Sequence, residues 1–273
     1  MQVTKFLGNS RVKRLTALFI LGGFPILFLG CNRGEPPPAA SSATPEVTVG
    51  STQLLAQADQ EYAQRQDLTH VRKAVALLRQ ARTVDYGNYE IAWKLARANY
   101  YVAAHTDDDT ERDAAFREGI ESGKMAVQLQ ENKPEGHFWL GANYGGDAEH
   151  STLAGLANVE DIRGEMERVL QIDEGYEAGS AYLGLGQLYL RAPRVFGGDT
   201  QKAIDYLEKG LKVGSDNALL RVNLAQAYHQ AKRDADARKQ IDFILKMNPD
   251  PDHRAEYDEA VMNAKKLEEN LAR

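Results

Sequence analysis

The sequence predicts an all-α chain, a right-handed solenoid of about five helical hairpins closed by a C-terminal capping helix. Three observations carry that expectation. Good helix formers (Ala, Leu, Gln, Glu, Lys and Arg) dominate the composition. Small and apolar residues recur at the i, i+3, i+4, i+7 spacing of a helix face from Ser51 to the C-terminal end. Between the helical stretches, breaks rich in Gly, Pro, Asp and Asn return at a near-constant interval, which marks a stack of similar units.

The first 30 residues stand apart. They hold four basic residues (Lys5, Arg11, Lys13, Arg14) and no acidic one, so the rest of the chain carries −10 against −6 for the whole. Such an acidic surface argues against a nucleic-acid partner. Leu15 to Gly30 is apolar, shorter than the roughly 20 residues that span a bilayer, and interrupted by Pro25. This is the pattern of a secretory signal cleaved just before Cys31, the sole cysteine of the chain. Leu27-Phe28-Leu29-Gly30-Cys31 resembles the lipobox of bacterial lipoproteins, with Phe28 and Leu29 bulkier than usual. The resemblance implies a lipidated Cys31 and a membrane anchor at the cell envelope, facing the periplasm, with inner or outer membrane left open. The other reading is an uncleaved signal anchor with an incidental cysteine.

Residues 31–50 are rich in Pro, Ala, Ser and Thr and poor in large apolar side chains, so they read as an extended, disordered tether. From residue 51 to 273 the pattern is helical. Leu55, Ala58 and Tyr62 pair with Ala74, Leu78 and Ala81. Trp93, Ala96 and Tyr100 pair with Gly119, Gly123 and Ala126. His137, Leu140, Gly141 and Tyr144 pair with Ile162, Met166 and Val169. Tyr182, Leu185, Gly186 and Tyr189 pair with Ala203, Leu207 and Gly210, with Asp199 or Thr200 as N-cap between them. Arg221, Leu224, Ala225 and Tyr228 pair with Ala237, Ile241 and Ile244, and Pro249 closes the unit. Glu256 to Leu271 reads as the capping helix.

The fifth unit fits a 34-residue template without a gap and resembles the tetratricopeptide repeat. Against that template, the turns inside units one to five hold about 3, 10, 9, 5 and 0 extra residues. Equivalent insertions lie on one edge of a solenoid. His105–Asp109, Gly145–Val159 and the elbow with Pro193, Phe196, Gly197 and Gly198 are therefore expected as loops along one rim.

Catalytic chemistry is not legible. Neither Gly145-Gly146 nor Gly197-Gly198 runs into Gly-Lys-Ser/Thr as a phosphate loop does. Asp107, Asp108 and Asp109 lack the alternation of a calcium loop, and Asp147, Glu149 and His150 do not converge on one metal. We expect no enzyme, no cofactor and no metal. The concave surface is the expected site. Repeat geometry places Tyr101, Phe138, Ala142, Leu183, Gln187, Leu190, Val222 and Gln226 on it. Its apolar middle suits a hydrophobic small molecule, a partner's helix or a second subunit, or is ordinary core beneath the rim.

Several segments resemble a narrower family. These are Gly136-His-Phe-Trp-Leu-Gly-Ala-Asn-Tyr-Gly145, Ile162–Asp173, Gly184-Leu-Gly-Gln-Leu-Tyr189, the elbow from Ala192-Pro193 to Gly197-Gly198-Asp199 with Ala203, and Asn223-Leu-Ala-Gln-Ala227. Together they look like the lipid-anchored T component of TRAP transporters (TatT). That resemblance implies a periplasmic helper that oligomerises, holds a central apolar cavity and pairs with a periplasmic solute-binding protein. The function expected is an accessory to solute transport that binds a partner protein, a hydrophobic ligand or both. The alternative is a scaffold for protein–protein interaction in envelope assembly.

Overall fold

The computed structural model describes residues 50–150 and 158–272. The expectations for the signal segment and Cys31 fall outside the described residues, as does the tether up to residue 49. Eleven α-helices account for most of the described chain. They are α1 (Ser51–Tyr62), α2 (Leu68–Val84), α3 (Tyr89–His105), α4 (Asp109–Leu129), α5 (Pro134–His150), α6 (Val159–Ile172), α7 (Ser180–Arg191), α8 (Thr200–Val213), α9 (Ala218–Gln230), α10 (Asp234–Lys246) and α11 (Arg254–Leu271). Short 3-10 turns occupy Tyr176–Gly179, Arg194–Phe196 and Pro251–His253.

Helix starts follow from local chemistry. Asp67, Asn88, Asp108, Asp199 and Asn217 each accept hydrogen bonds from backbone N–H groups of the first turn they precede, caps worth about 1 kcal/mol apiece. Asp199, not Thr200, is the cap of α8. Pro134 opens α5 at the position where its missing N–H costs nothing.

Ten helices form five hairpins, α1/α2 through α9/α10, each packed on the next, and α11 packs on both α9 and α10. First helices also touch the first helices of neighbouring hairpins: α3 meets α5, α5 meets α7, α7 meets α9, and α9 meets α11. The curve is therefore tightest along the first helices, which line its inner side. Three groups of buried side chains run through the stack. Leu78, Leu95 and Phe116 belong to the first, Met166, Val169 and Leu185 to the middle one, and Leu207, Leu224 and Ile241 to the last. Leu170 and Tyr206 bridge the last two. Full burial of each leucine stabilises by about 1.5–3 kcal/mol.

Helix replaces most of the expected rim loop of the second unit and the described start of that of the third, whose residues 151–157 lie outside the described residues. The ten or so extra residues of the second unit lengthen its helices: α3 has 17 residues, α4 has 21, and only Thr106–Asp108 lies between them. Asp108 caps α4, Asp109 pairs with Arg112, and Arg112 also donates to the Thr106 carbonyl at 2.6 Å. In the third unit Gly145–His150 continues α5. The Gly pair survives inside a helix because the missing Cβ of Gly146 makes room for the Phe116 ring, which a Cβ there would strike.

The junction between the third and fourth hairpins takes its extra residues as a left-handed turn, with Glu177, Ala178 and Gly179 all at positive φ (45°, 51° and 78°). A non-glycine residue in that region costs roughly 1–2 kcal/mol. The next unit holds the turn in place, since the Ala178 carbonyl accepts from Asn217 Nδ2 at 3.2 Å.

Candidate functional site

The inner face begins with a charged and aromatic corner. The Lys94 ammonium reaches Asp59 at 2.7 Å and Glu90 at 2.6 Å. One turn on, Arg97 lies over the Tyr62 ring at 3.9 Å and the Trp93 ring at 4.9 Å, and its guanidinium is 3.7 Å from Asp59. Tyr101 stands edge-on to Tyr62 and stacks on His105 with ring centres 4.0 Å apart. Burial lifts the Tyr62 phenol to about 12, although Arg97 and Arg65 pull the other way. This corner holds neutral phenols beside fixed positive charge.

The aromatic lining continues on α5. Phe138 is half-buried, packed against Trp139 at 4.9 Å and Tyr176 at 5.3 Å, and Trp139 in turn approaches Tyr100 at 5.8 Å. The Arg97 Nε–H is buried without a hydrogen-bond partner, and the Trp139 indole approaches the Tyr176 hydroxyl. Burial raises the Tyr100 phenol, and the nearby charge of Glu259 adds to that shift.

Farther along, Ala142, Gln187, Leu190 and Gln226 are half-buried, as is Tyr101. Leu183 at 9% exposure and Val222 at 1% belong to the C-terminal core, where α11 supplies Ala260, Ala264 and Leu267. Val222 is core because α11 stacks on α9 as one more first helix would, and Leu183 packs into the same core from α7.

The elbow of the fourth hairpin forms the loop between α7 and α8. The Pro193 carbonyl accepts from the Phe196 and Gly198 amides at 2.8 and 3.1 Å, Gly197 adopts φ 94°, and Asp199 donates its amide to the Tyr189 carbonyl. The loop presents Val195, 83% exposed, and Phe196, 41% exposed. Val195 was not among the expected site residues.

Long-range partners missed by sequence reasoning close the face. Glu256, in the first turn of α11, meets Arg65, in the turn after α1, in a forked ion pair of 3.1 Å. Glu259 is reached by solvent yet surrounded by protein. That burial raises its carboxyl above the usual range, against the pull of His105 and Arg191. Arg191 pairs with Glu149 and is pushed down by burial. The first hairpin and the capping helix thus meet across the mouth of the inner face.

The acidic runs are occupied elsewhere. Asp108 and Asp109 serve as cap and ion-pair partner at the start of α4, and His150 stacks on Phe116. Among the described residues no group of three His, Cys, Asp or Glu side chains converges on a point where a metal could sit. Among the described residues, too, no helix is long and apolar enough to cross a membrane.

One buried titratable group ties the third hairpin together. His137 Nδ1 lies 2.6 Å from Glu165 on α6, and its Nε2 lies 2.8 Å from the Glu131 carbonyl. Burial alone would lower its pKa, but the two acceptors outweigh that and raise it. A raised imidazole adds stability that is fully present below the unfolded value near 6.5 and is lost as pH rises through the folded value. Urea unfolding of the wild type against His137→Gln should therefore show a stability advantage for histidine at pH 5.5 that shrinks by pH 8.5. An advantage that is constant or grows with pH contradicts the assignment.

Comparison with known proteins agrees with this architecture. Residues 54–186 match the family model described as regulator of microtubule dynamics protein 1-3, and residues 197–261 match a tetratricopeptide-repeat model. A search of the curated proteins finds no match. Among solved structures, the thermophilic tetratricopeptide protein TTC0263 of Thermus thermophilus is similar at 21% identity and TM-score 0.58, covering 78% of this chain and 100% of that one. Pseudomonas aeruginosa pilF is similar at 16% identity and TM-score 0.51, covering 81% and 93%. At these identities the likeness shows the fold.

Proposed function

We propose that this tetratricopeptide-repeat protein is a non-catalytic scaffold that holds a segment of a partner protein in its concave face. The observation that carries the reading is the lining itself. Half-buried aromatic rings (Tyr101, Phe138, Trp139) stand beside fixed cations and the unsatisfied buried Arg97 Nε–H, the mixture of apolar anchors and directed polar groups that recognises a peptide or helix. The half-buried positions Phe138, Ala142 and Leu190 also favour a second reading, a hydrophobic small molecule on the same face.

In the fuller form of the proposal, Cys31 carries the lipid and the chain faces the periplasm from an envelope membrane. There it serves a transport system through a solute-binding protein, or the assembly of other envelope proteins. The resemblance to the transporter T component supports the transport version and the oligomer it implies.

The experiment is photo-cross-linking in living cells. A benzoyl-phenylalanine at Phe138 should yield one discrete protein adduct, whereas the same group at exposed Tyr86, in the turn between α2 and α3, should yield none. A lipid adduct alone at Phe138 would select the small-molecule reading, and identical patterns at both sites would sink the proposal. Labelling with radioactive palmitate checks the anchor, since a Cys31→Ser chain that still labels is not lipidated there.

A further inference from the structure

Glu259 lies in the second turn of α11, on the same side of the helix as Glu256. Tyr257 and Val261 pack on the C-terminal core, and Ala260, Ala264 and Leu267 are buried in it. The helix therefore holds Glu259 at a fixed place, across the mouth of the inner face from α3 and α7. Its charge is felt at Tyr100 and Tyr101 of α3. In turn it feels His105 at the end of α3 and Arg191 at the end of α7. The residue is exposed, so a ligand can reach it.

The other charges of the mouth are matched within the chain. Arg65 takes Glu256 and has a further interaction besides. Arg191 pairs with Glu149, Lys94 pairs with Asp59 and Glu90, and Arg97 lies 3.7 Å from Asp59. His105 Nδ1 lies 2.8 Å from the Tyr101 carbonyl, and its ring stacks on Tyr101. Among the described residues Glu259 makes neither an ion pair nor a hydrogen bond. A carboxylate surrounded by protein without a partner is unfavourable.

We propose that Glu259 anchors a basic side chain, lysine or arginine, of the partner segment held in the concave face, with the rings of Tyr100 and Tyr101 as the walls of that site. The site presupposes that the concave face binds protein, and it adds the chemistry of the segment bound there.

An ammonium or guanidinium supplies the partner that Glu259 lacks, and the half-buried rings of Tyr100 and Tyr101 favour a cation at their faces. Burial raises the Glu259 carboxyl even though His105 and Arg191 pull it down, so the positive groups already present do not satisfy its charge. An acidic segment would instead meet Glu256 and Glu259 as like charges. The anchor is continuous with the aromatic lining, because Tyr100 approaches Trp139 at 5.8 Å and Trp139 packs on Phe138 at 4.9 Å. One segment can therefore place a basic residue at Glu259 and an apolar one at Phe138.

The probe is a fluorescein-labelled hexalysine peptide, read by anisotropy against the full chain in non-ionic detergent. Glu259→Gln should weaken binding about tenfold, the scale of one charge-assisted hydrogen bond. Glu268→Gln removes the same charge from the opposite, exposed side of α11 and should leave binding within about twofold. Equal losses in the two variants mean general attraction to an acidic surface and overturn the proposal. So does a Glu259→Gln chain that binds like the native one, or a hexaglutamate peptide that binds more tightly than hexalysine.

Urea unfolding at pH 7 separates this role from a structural one. A carboxyl raised in the folded chain weakens stability as pH rises through its folded value, and glutamine removes that loss. The midpoint of Glu259→Gln should therefore hold or rise; a midpoint that falls with binding assigns the residue to structure and overturns the anchor. In cells, the protein adduct formed through benzoyl-phenylalanine at Phe138 should drop about tenfold in the Glu259→Gln chain. An undiminished adduct removes only the basic anchor, whereas the absence of any protein adduct in the native chain removes the reading beneath it.

Discussion

Phe116→Ala should cost about 3–5 kcal/mol, the range for deleting a fully buried aromatic ring. The side chain is 1% exposed, packs in the N-terminal core with Ala103 and Ala115, and carries the last turns of α5 on its outer side. Gly146 lies against its ring and His150 stacks on it at 6.0 Å. Removing the ring leaves a cavity that the glycine cannot collapse into, since it has no side chain to offer. In a solenoid each unit is stabilised mainly by its neighbours, so the loss should concentrate in α3 to α6. Hydrogen exchange should report the largest drop in protection at Gly145–His150, with α9 to α11 little changed. A loss spread evenly over all hairpins, or one under 1 kcal/mol by urea unfolding, would contradict this placement of Phe116.

Phe116 also shows where sequence reasoning ran short. The hairpins were legible because each helix repeats its small and large residues at local spacings, which the chain itself displays. The capping helix was legible for the same reason: Glu256–Leu271 is expected, and Arg254–Leu271 is found. The extra residues of the second and third units were countable but not assignable. A count of inserted residues does not distinguish a longer loop from a longer helix. Gly145-Gly146 then tips the reading towards a turn, because glycine costs about 1 kcal/mol in a helix. Only the Phe116 ring, some thirty positions earlier, explains why helix prevails. By contrast Pro193 truly stops α7, since its ring cannot follow Ala192 in a helix.

The inner face divides in the same way. Repeat geometry alone places Tyr101, Phe138, Ala142, Gln187, Leu190 and Gln226 on it. Missing from that list are Arg65 and Glu256, which lie in a turn and on the cap, outside any repeat position. The burial of Val222 was also hidden, because it depends on α11 stacking against α9. That contact follows from the curvature of the whole stack, a sum of small rotations per hairpin that no single unit encodes.

The close approach of α4 and α5 makes the second large prediction. A Cβ at Gly123 would lie 2.9 Å from both Cα and Cβ of Leu140 and 3.2 Å from its amide nitrogen. These are mostly backbone atoms of a packed helix, so the neighbour cannot swing aside as a flexible side chain would. Valine at this position must push α5 outward. That strains His137 against Glu165 and stretches the bond from Asn143 Nδ2 to the Ala96 carbonyl, now 3.1 Å. Overpacking of this kind costs about 1–3 kcal/mol, occasionally more, and losing one of the two bonds made by Asn143 Nδ2, the other going to the Trp139 carbonyl at 2.7 Å, adds about 0.5–1.5 kcal/mol. Gly123→Val should therefore fall near the upper end, about 3 kcal/mol or beyond. Gly164, exposed on α6 with nothing within 4 Å of its Cβ direction, is the matched control. There alanine should stabilise by about 0.5–1 kcal/mol through helix propensity alone. Urea midpoints that move in opposite directions for Gly123→Val and Gly164→Ala establish that close packing sets the residue at 123. If both variants are neutral or stabilising, α4 and α5 are not packed as closely as their glycine contact requires.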